Sequence, residues 1–311
     1  MRQITRGLLA GIVAISFVFA LGCEKPKDGA AAGGGSGSGG KTIVVDGSDT
    51  MVNLSQAWAE AYTKIHPDVH IQVSGGGSGV GIASLIGGKL DMANSSRKMD
   101  EKEVAKFKEN NAGKEPKEHI VAIDALAVYI NPKNPMEQIS LQELAEIYGD
   151  GGKLDKWSQL GVSNTACPGD EITRVSRQNN SGTYAYFREH VLGKKRDYKN
   201  GSIDQSGSKD VVALVAKTPC AIGYSGMGYK TDDVKWLKVS KKKGETGVAP
   251  SIEAAVNGTY PISRPLFIYT PGEATGVVKD FIDWCDGPEG QKIVKDVGFV
   301  PLPKDKTVAS R

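Results

Sequence analysis

HIVAIDALAVYINP, residues 119–132, is the stretch on which the fold turns. Apart from Asp124 it is apolar from Ile120 to Ile130, it is rich in β-branched residues, and Asn131-Pro132 closes it, which together read as a strand. Ordinary strands run to about six residues, so this one is long enough to pass from one domain into another. A second extended run, YPISRPLFIYT at 260–270, lies far downstream. Between them stand LQELAEIYG, EITRVSR, a helix after Ser181, KDVVALVAK and AIGYSG, which make a complete α/β set. Two crossings around such a middle predict a discontinuous first domain with a second inserted into it. The expected bounds are 41–123 and 262–311 for one lobe and 124–261 for the other, with a hinge and a cleft between them.

Upstream of the first crossing the chain alternates. KTIVVDG (41–47) reads as a buried strand closed by glycine. In the next segment Leu54, Trp58, Ala61, Tyr62 and Ile65 recur at helical spacing, with Ser48 or Asp49 placed to cap the helix and Pro67 to stop it. VHIQVSG (69–75) is a second strand, a glycine-rich turn leads into a short helix carrying Ile82, Leu85 and Ile86, and LDMANSS (90–96) is a third strand. After the second crossing, two helices are expected around Gly276–Cys285 and Pro288–Asp296. This order predicts an α/β sheet with right-handed crossovers.

The N-terminus carries an address. Arg2 and Arg6 precede an apolar stretch from Leu8 to Leu21 that is short for a membrane span and ends in small residues, as a signal peptide does. Ala20-Leu21-Gly22-Cys23 resembles a lipobox, whose cysteine becomes the lipidated first residue of the mature protein. Residues 1–22 are therefore read as a lipoprotein signal peptide and 23–40, with EKPKDGAAAGGGSGSGG, as a flexible tether. A periplasmic or cell-surface protein held to the membrane through an N-terminal lipid is the expectation. Cleavage removes two arginines and lowers the formal net charge from +3 to +1.

With 39% hydrophobic and 24% charged residues, the chain is a globular protein rather than a disordered one. Neither its weak charge nor its pattern suits nucleic acid, and Lys241-Lys242-Lys243 reads as a solvated loop. Export permits a disulfide, for which Cys167 and Cys220 are paired, leaving Cys285 over. His66, His70, His119 and His190 show no metal-ligand spacing, and no cofactor is expected.

Three strand-like runs end in hydroxyl residues or glycine just before a helix: DGSDT, SGGGSG and NNSGT. A helix start exposes unpaired N–H groups with partial positive charge, glycine lets the backbone come close, and serine or threonine adds a donor. In open α/β sheets ligands collect at these carboxyl ends of strands. ANSSRKMD adds Ser95, Ser96 and Arg97 at the end of the third strand, and Arg177 stands four residues before Ser181. The pattern is that of an oxyanion cleft, with Arg177 as its obvious full positive charge.

From about Lys41 to Pro303 the chain resembles the phosphate-binding protein of the bacterial phosphate ABC importer, on the strength of GSDTM, GGGSGVGIASL, LDMANSSRKM and RQNNSGTYAYF. The resemblance implies a periplasmic-binding-protein fold, inorganic phosphate as ligand, an inner-membrane ABC permease as partner, and a monomer. It implies that phosphate is held by Arg177, Ser181, Gly182 and Thr183, with Thr50 and Ser78 from the first two loops and Ser96 and Arg97 from the third. One branch of the family has an aspartate where Ser96 stands here. An ionised carboxylate accepts the proton of bound phosphate and repels sulfate, which has none to offer. Another branch carries Ser-Ser-Arg, as here, and the acceptor is then expected from elsewhere. Asp124 is the candidate, with an ion pair to Arg97 or Arg177 as its alternative role; Asp49 is the second candidate, with a helix N-cap as its alternative.

The rival readings are a binding protein or sensor for another tetrahedral oxyanion such as sulfate or molybdate, and a phosphatase. Against an enzyme, Gly76-Gly77-Ser78-Gly79-Val80 lacks the second glycine of a nucleophile elbow, and no histidine is placed to serve as base. Gly87-Gly88-Lys89 is not a phosphate loop, since Ala83 stands where its first glycine belongs.

Overall fold

The computed structural model describes residues 41–193 and 195–303, so the expected signal peptide, Cys23 and the tether lie outside the described residues. In chain order the elements begin with β1 (Lys41–Gly47), α1 (Val52–Ile65), β2 (Val69–Val73), α2 (Ser78–Ile86), β3 (Met92–Ser95), α3 (Glu101–Asn110) and β4 (Lys117–Ile130). There follow β5 (Gln138–Ser140), α4 (Leu141–Tyr148), β6 (Thr173–Arg177), α5 (Gly182–Phe187), β7 (Ile203–Gln205), α6 (Ser208–Lys217) and β8 (Ala221–Gly226). The last are β9 (Lys235–Trp236), β10 (Lys238–Ser240), α7 (Ile252–Val256), β11 (Ser263–Thr270), α8 (Gly276–Asp286) and α9 (Pro288–Asp296).

β4 joins two sheets into one path, β2-β1-β3-β11-β4-β8-β6-β7, with β9 also paired to β4 and a separate β10-β5 pair. Residues Lys117 to Ala125 of β4 run antiparallel to β11, whereas Leu126 to Ile130 run antiparallel to β8. One strand thus belongs to two α/β lobes, and every residue from Val121 to Ile130 is buried. Helices cover both faces of such a sheet, which is why the run is continuously apolar rather than alternating. The β1–β2, β1–β3, β6–β8 and β6–β7 pairs are parallel. Their carboxyl ends lie on the side where the polar loops begin.

Aromatic packing fastens each lobe. The indole N–H of Trp58 on α1 donates to Gly290 O of α9 at 2.9 Å. The Tyr62 ring meets Phe281 and Trp284 of α8 edge-on at 5.0 and 5.3 Å. These contacts bring the C-terminal helices back onto the first helix. In the other lobe Phe187 stacks on Tyr224 at 3.9 Å, and Tyr148 donates its hydroxyl to Ile222 O at 2.8 Å. Cys167 and Cys220 form a disulfide, and Cys285 is free and buried.

One local expectation fails, and one helix was not anticipated. Neither Ser48 nor Asp49 caps α1, which starts at Val52 behind Met51 with no side-chain cap; both side chains are drawn into the cleft instead. Helix α3 has no long apolar stripe and only Phe107 is buried, so periodicity does not announce it. Its signal is the capping box, in which Asp100 accepts from Glu103 N and the Glu103 carboxylate accepts from Asp100 N.

Candidate anion-binding site

Four loops converge at the carboxyl ends of β1, β2, β3 and β6. β1 delivers Ser48, Asp49 and Thr50; the glycine turn after β2 delivers Ser78 at the first position of α2; β3 delivers Ser96; and β6 ends at Arg177, ahead of Ser181, Gly182 and Thr183. Ser48, Thr50, Ser78, Ser96, Arg177, Ser181 and Thr183 are all buried. Ser96 Oγ receives the Ser48 hydroxyl at 3.0 Å and lies 3.3 Å from Ser78 Oγ, which in turn accepts from Ser96 N at 3.0 Å. Across the cleft Thr50 Oγ1 and Thr183 Oγ1 are 2.8 Å apart. Gly182 leaves no room for a side chain while these hydroxyls keep their places. A Cβ there would run into Ser78 Oγ and stand 2.5 Å from Ser96 Oγ. Ser181 acts mainly as the N-cap of α5, accepting from Thr183 N at 3.1 Å and Tyr184 N at 3.4 Å.

The lobes touch here directly. Gly79 N donates to Asn180 O at 3.0 Å, and the Asn180 amide donates to Gly76 O at 2.7 Å. Tyr229 OH reaches the carbonyls of Asp49 and Thr50, both at 2.8 Å. The cleft is closed.

Arg177 is fully buried and heavily engaged: Nη2 donates to Asp49 Oδ2 at 3.0 Å and to Ser206 O at 2.6 Å, Nη1 to Ser208 Oγ at 2.9 Å and Nε to Gln205 O at 3.3 Å. Burial lowers its pKa, which Asp49 opposes. Burial also raises the Asp49 carboxyl, against the pull of Arg177 and the Gly76 N–H that Oδ1 accepts at 3.0 Å. Arg97 stands apart. Its fork closes on Glu103 with two contacts of 2.7 Å, and it keeps only a rim position near Gly79.

Sequence reasoning missed one member of the site. Arg264 of β11 is buried and lies directly opposite Asp124 in the antiparallel register. Its Nε and Nη2 donate to Asp124 Oδ2 at 3.2 and 3.0 Å, so the partner of Asp124 is neither Arg97 nor Arg177. Nη1 donates to Ser96 O at 2.9 Å and Gly182 O at 3.0 Å, and Nη2 to Thr183 Oγ1 at 2.8 Å and, more weakly, to Thr50 Oγ1 at 3.5 Å. The Tyr186 ring lies 5.2 Å from its Cζ. Arg177 is therefore not the sole positive charge of the cleft. The signal was present: one acid inside the first crossing and one base inside the second, on strands that must pair. Asp124 is fully buried, and burial raises its carboxyl pKa despite Arg264. Its Oδ1 has no full hydrogen-bond partner among the described residues, although the Met227 backbone N–H helps to hold its charge.

Hydroxyls, helix starts and two guanidiniums, each matched by a carboxylate, gather in one buried, electrically balanced cluster of the groups that hold an oxyanion. The sequence matches the PBP superfamily domain over residues 32–287. It is 35% identical to the phosphate-binding protein PstS of Pseudomonas aeruginosa, over 94% of this chain and 92% of that protein. The chain belongs to the PstS family. The PstS protein of Bacillus subtilis is 32% identical, over 95% of this chain and 92% of its own. Among solved structures, a Clostridium perfringens protein of the phosphate ABC transporter substrate-binding type, crystallised with bound phosphate, superimposes with a TM-score of 0.74 at 28% identity, covering 85% of this chain and all of that one. PstS-family membership also accords with the two-lobe architecture.

Proposed function

We propose that this chain is a substrate-binding protein that captures inorganic phosphate between its lobes and delivers it to an ABC permease. The observation that carries the reading is the convergence of the Thr50, Ser78, Ser96 and Thr183 hydroxyls with the α2 and α5 starts around two buried guanidiniums. The lobes are assigned as 41–123 with 262–311, and 124–261. Phosphate enters the open cleft, the loops of both lobes donate to its oxygens, and closure excludes water, which strengthens each charge-assisted bond. Arg177 and Arg264 supply positive potential, while the carboxylates facing them keep the chamber from holding the ligand irreversibly. Nothing in this scheme is chemical turnover, and an assay with p-nitrophenyl phosphate is expected to show none. The N-terminal lipid at Cys23 would tether the body at a membrane surface, outside the cytoplasm.

Selectivity requires an acceptor, and Asp124 is the residue assigned to it. Both oxygens of Asp49 are engaged, by Gly76 N and Arg177, whereas Asp124 Oδ1 has no full partner. Asn at 124 can still offer a carbonyl oxygen to Arg264 but turns the second position into a donor. Titration calorimetry of wild type and Asp124→Asn against phosphate, sulfate, arsenate and molybdate tests the reading. Wild type is expected to bind phosphate and arsenate and to reject sulfate. Asp124→Asn is expected to narrow the phosphate-to-sulfate ratio by about 10-fold or more, the scale of one charged hydrogen bond. Wild type preferring sulfate or molybdate would move the assignment to another oxyanion.

A further inference from the structure

Arg264 does more than balance Asp124. A guanidinium has five N–H groups, and here each one points at a protein acceptor. One pair goes to Asp124 Oδ2 on the crossing strand β4. The Nη1 pair divides between Ser96 O, behind β3, and Gly182 O, behind β6. The remaining Nη2 hydrogen serves Thr183 Oγ1 and, more distantly, Thr50 Oγ1. Ser96 and Thr50 belong to loops of one lobe, Gly182 and Thr183 to a loop of the other. All five donors can be matched only while both sets of loops surround the guanidinium. When the lobes part, several of them have to turn to water. A hydroxyl oxygen that already accepts from an arginine is left with its own proton to give; Thr183 Oγ1 and Thr50 Oγ1 are 2.8 Å apart, so one hydroxyl donates to the other and the pair keeps one proton to turn toward the cleft.

We propose that Arg264 is the positioning residue that latches the closed cleft and orients the Thr50–Thr183 hydroxyl pair so that its one free proton faces the anion; this rests on the oxyanion-capture reading above. It assigns to β11 a role that none of the loop motifs suggested. The side chain is anchored at the one place both lobes share, opposite Asp124, so it reports on the two lobes at once.

The test compares wild type, Arg264→Lys and the double variant Asp124→Asn/Arg264→Gln, each titrated with inorganic phosphate by calorimetry and followed by small-angle X-ray scattering. Lysine keeps the charge but has only three N–H groups on one nitrogen, so it cannot serve Ser96 O and Gly182 O together with Asp124 Oδ2 and Thr183 Oγ1. The double variant leaves no buried charge unpaired and, compared with Asp124→Asn alone so that the loss of the assigned acceptor is allowed for, carries the test if the lysine variant does not fold. Wild type is expected to contract on adding phosphate. Both variants are expected to bind about 10- to 100-fold more weakly and to contract less at saturation, with ligand-free melting within a few degrees of wild type. Variant affinity within about threefold of wild type, with full contraction, overturns the latch. So does a ligand-free melting temperature that falls as far as the ligand-induced rise, because Arg264 would then be a structural ion-pair member only. Wild type that binds no phosphate overturns the proposed function itself, a result separable from either variant outcome.

Discussion

A single methyl group at residue 182 should decide whether the cleft works. Gly182 lies in ordinary helical backbone at the start of α5, so alanine there carries no conformational penalty and should slightly favour the helix. Its Cβ would nevertheless press on Ser78 Oγ and Ser96 Oγ, which belong to the opposite lobe. The clash exists only when the cleft is shut. Gly182→Ala is therefore expected to leave ligand-free melting unchanged or raised while weakening phosphate binding about 100-fold or more, since shifting packed groups costs about 1–3 kcal/mol and the anion loses donors besides. Thermal denaturation and calorimetry on the same preparation check it; a parallel loss of fold and binding would place the glycine in the lobe rather than in the closure. At this scale the sequence was largely legible. Thr50, Ser78, Ser96, Arg177, Ser181, Gly182 and Thr183 all sit in the cluster, because strand-end loops before helices are a local pattern. Arg264 was not legible as a site residue, because its place depends on a register between strands about 140 residues apart. Arg97 matched the motif, yet its guanidinium is taken by Glu103, a partner visible only once α3 is seen to begin at Glu101.

The elements that carry the design are the two crossings, β4 and β11, whose pairing runs from Lys117–Thr270 at one end to Ala125–Ser263 at the other. Their length and apolar character could be read directly, and so the two-lobe plan followed. The short strands β5, β7, β9 and β10 could not, since two or three residues carry no periodicity. Toward the outer end of the pair, His119 Nε2 lies 3.0 Å from Thr270 Oγ1. Burial lowers the pKa of this imidazole. The folded protein therefore resists a proton that the unfolded chain accepts, and stability rises with pH across the window below the ordinary value of about 6.5. The contribution is complete above that value and is lost progressively as pH falls below it toward the lowered folded value. His119→Gln keeps a hydrogen-bonding group for Thr270 but does not titrate. On going from about pH 7.5 to 5, wild type is expected to lose more melting temperature than His119→Gln. Parallel curves would show that the imidazole titrates alike in both states.

For the whole molecule, the balance between open and closed forms is set by contacts that exist only when the lobes meet. The Thr50–Thr183 contact and the Arg264 bonds also belong to the groups proposed for the anion, so affinity changes there need the scattering readout beside them. Asn180 is cleaner. Its side-chain amide donates to Gly76 O at 2.7 Å across the cleft mouth, while its backbone carbonyl accepts from Gly79 N whatever the side chain. Asn180→Ala removes one interlobe hydrogen bond and touches none of the hydroxyls assigned to the anion. A neutral bond of this kind contributes about 0.5–1.5 kcal/mol, so affinity should fall by roughly 2- to 12-fold. The kinetics should say where the loss arises. Phosphate meets the open form, in which this bond is not made, so the association rate should stay as in wild type. Release requires opening, which the bond opposes, so the dissociation rate should carry the whole change. Stopped-flow measurements of both rates decide the matter: slower association in Asn180→Ala with unchanged release would mean that Asn180 organises the open loop, and that the closed state is held by Arg264 and the hydroxyls without it.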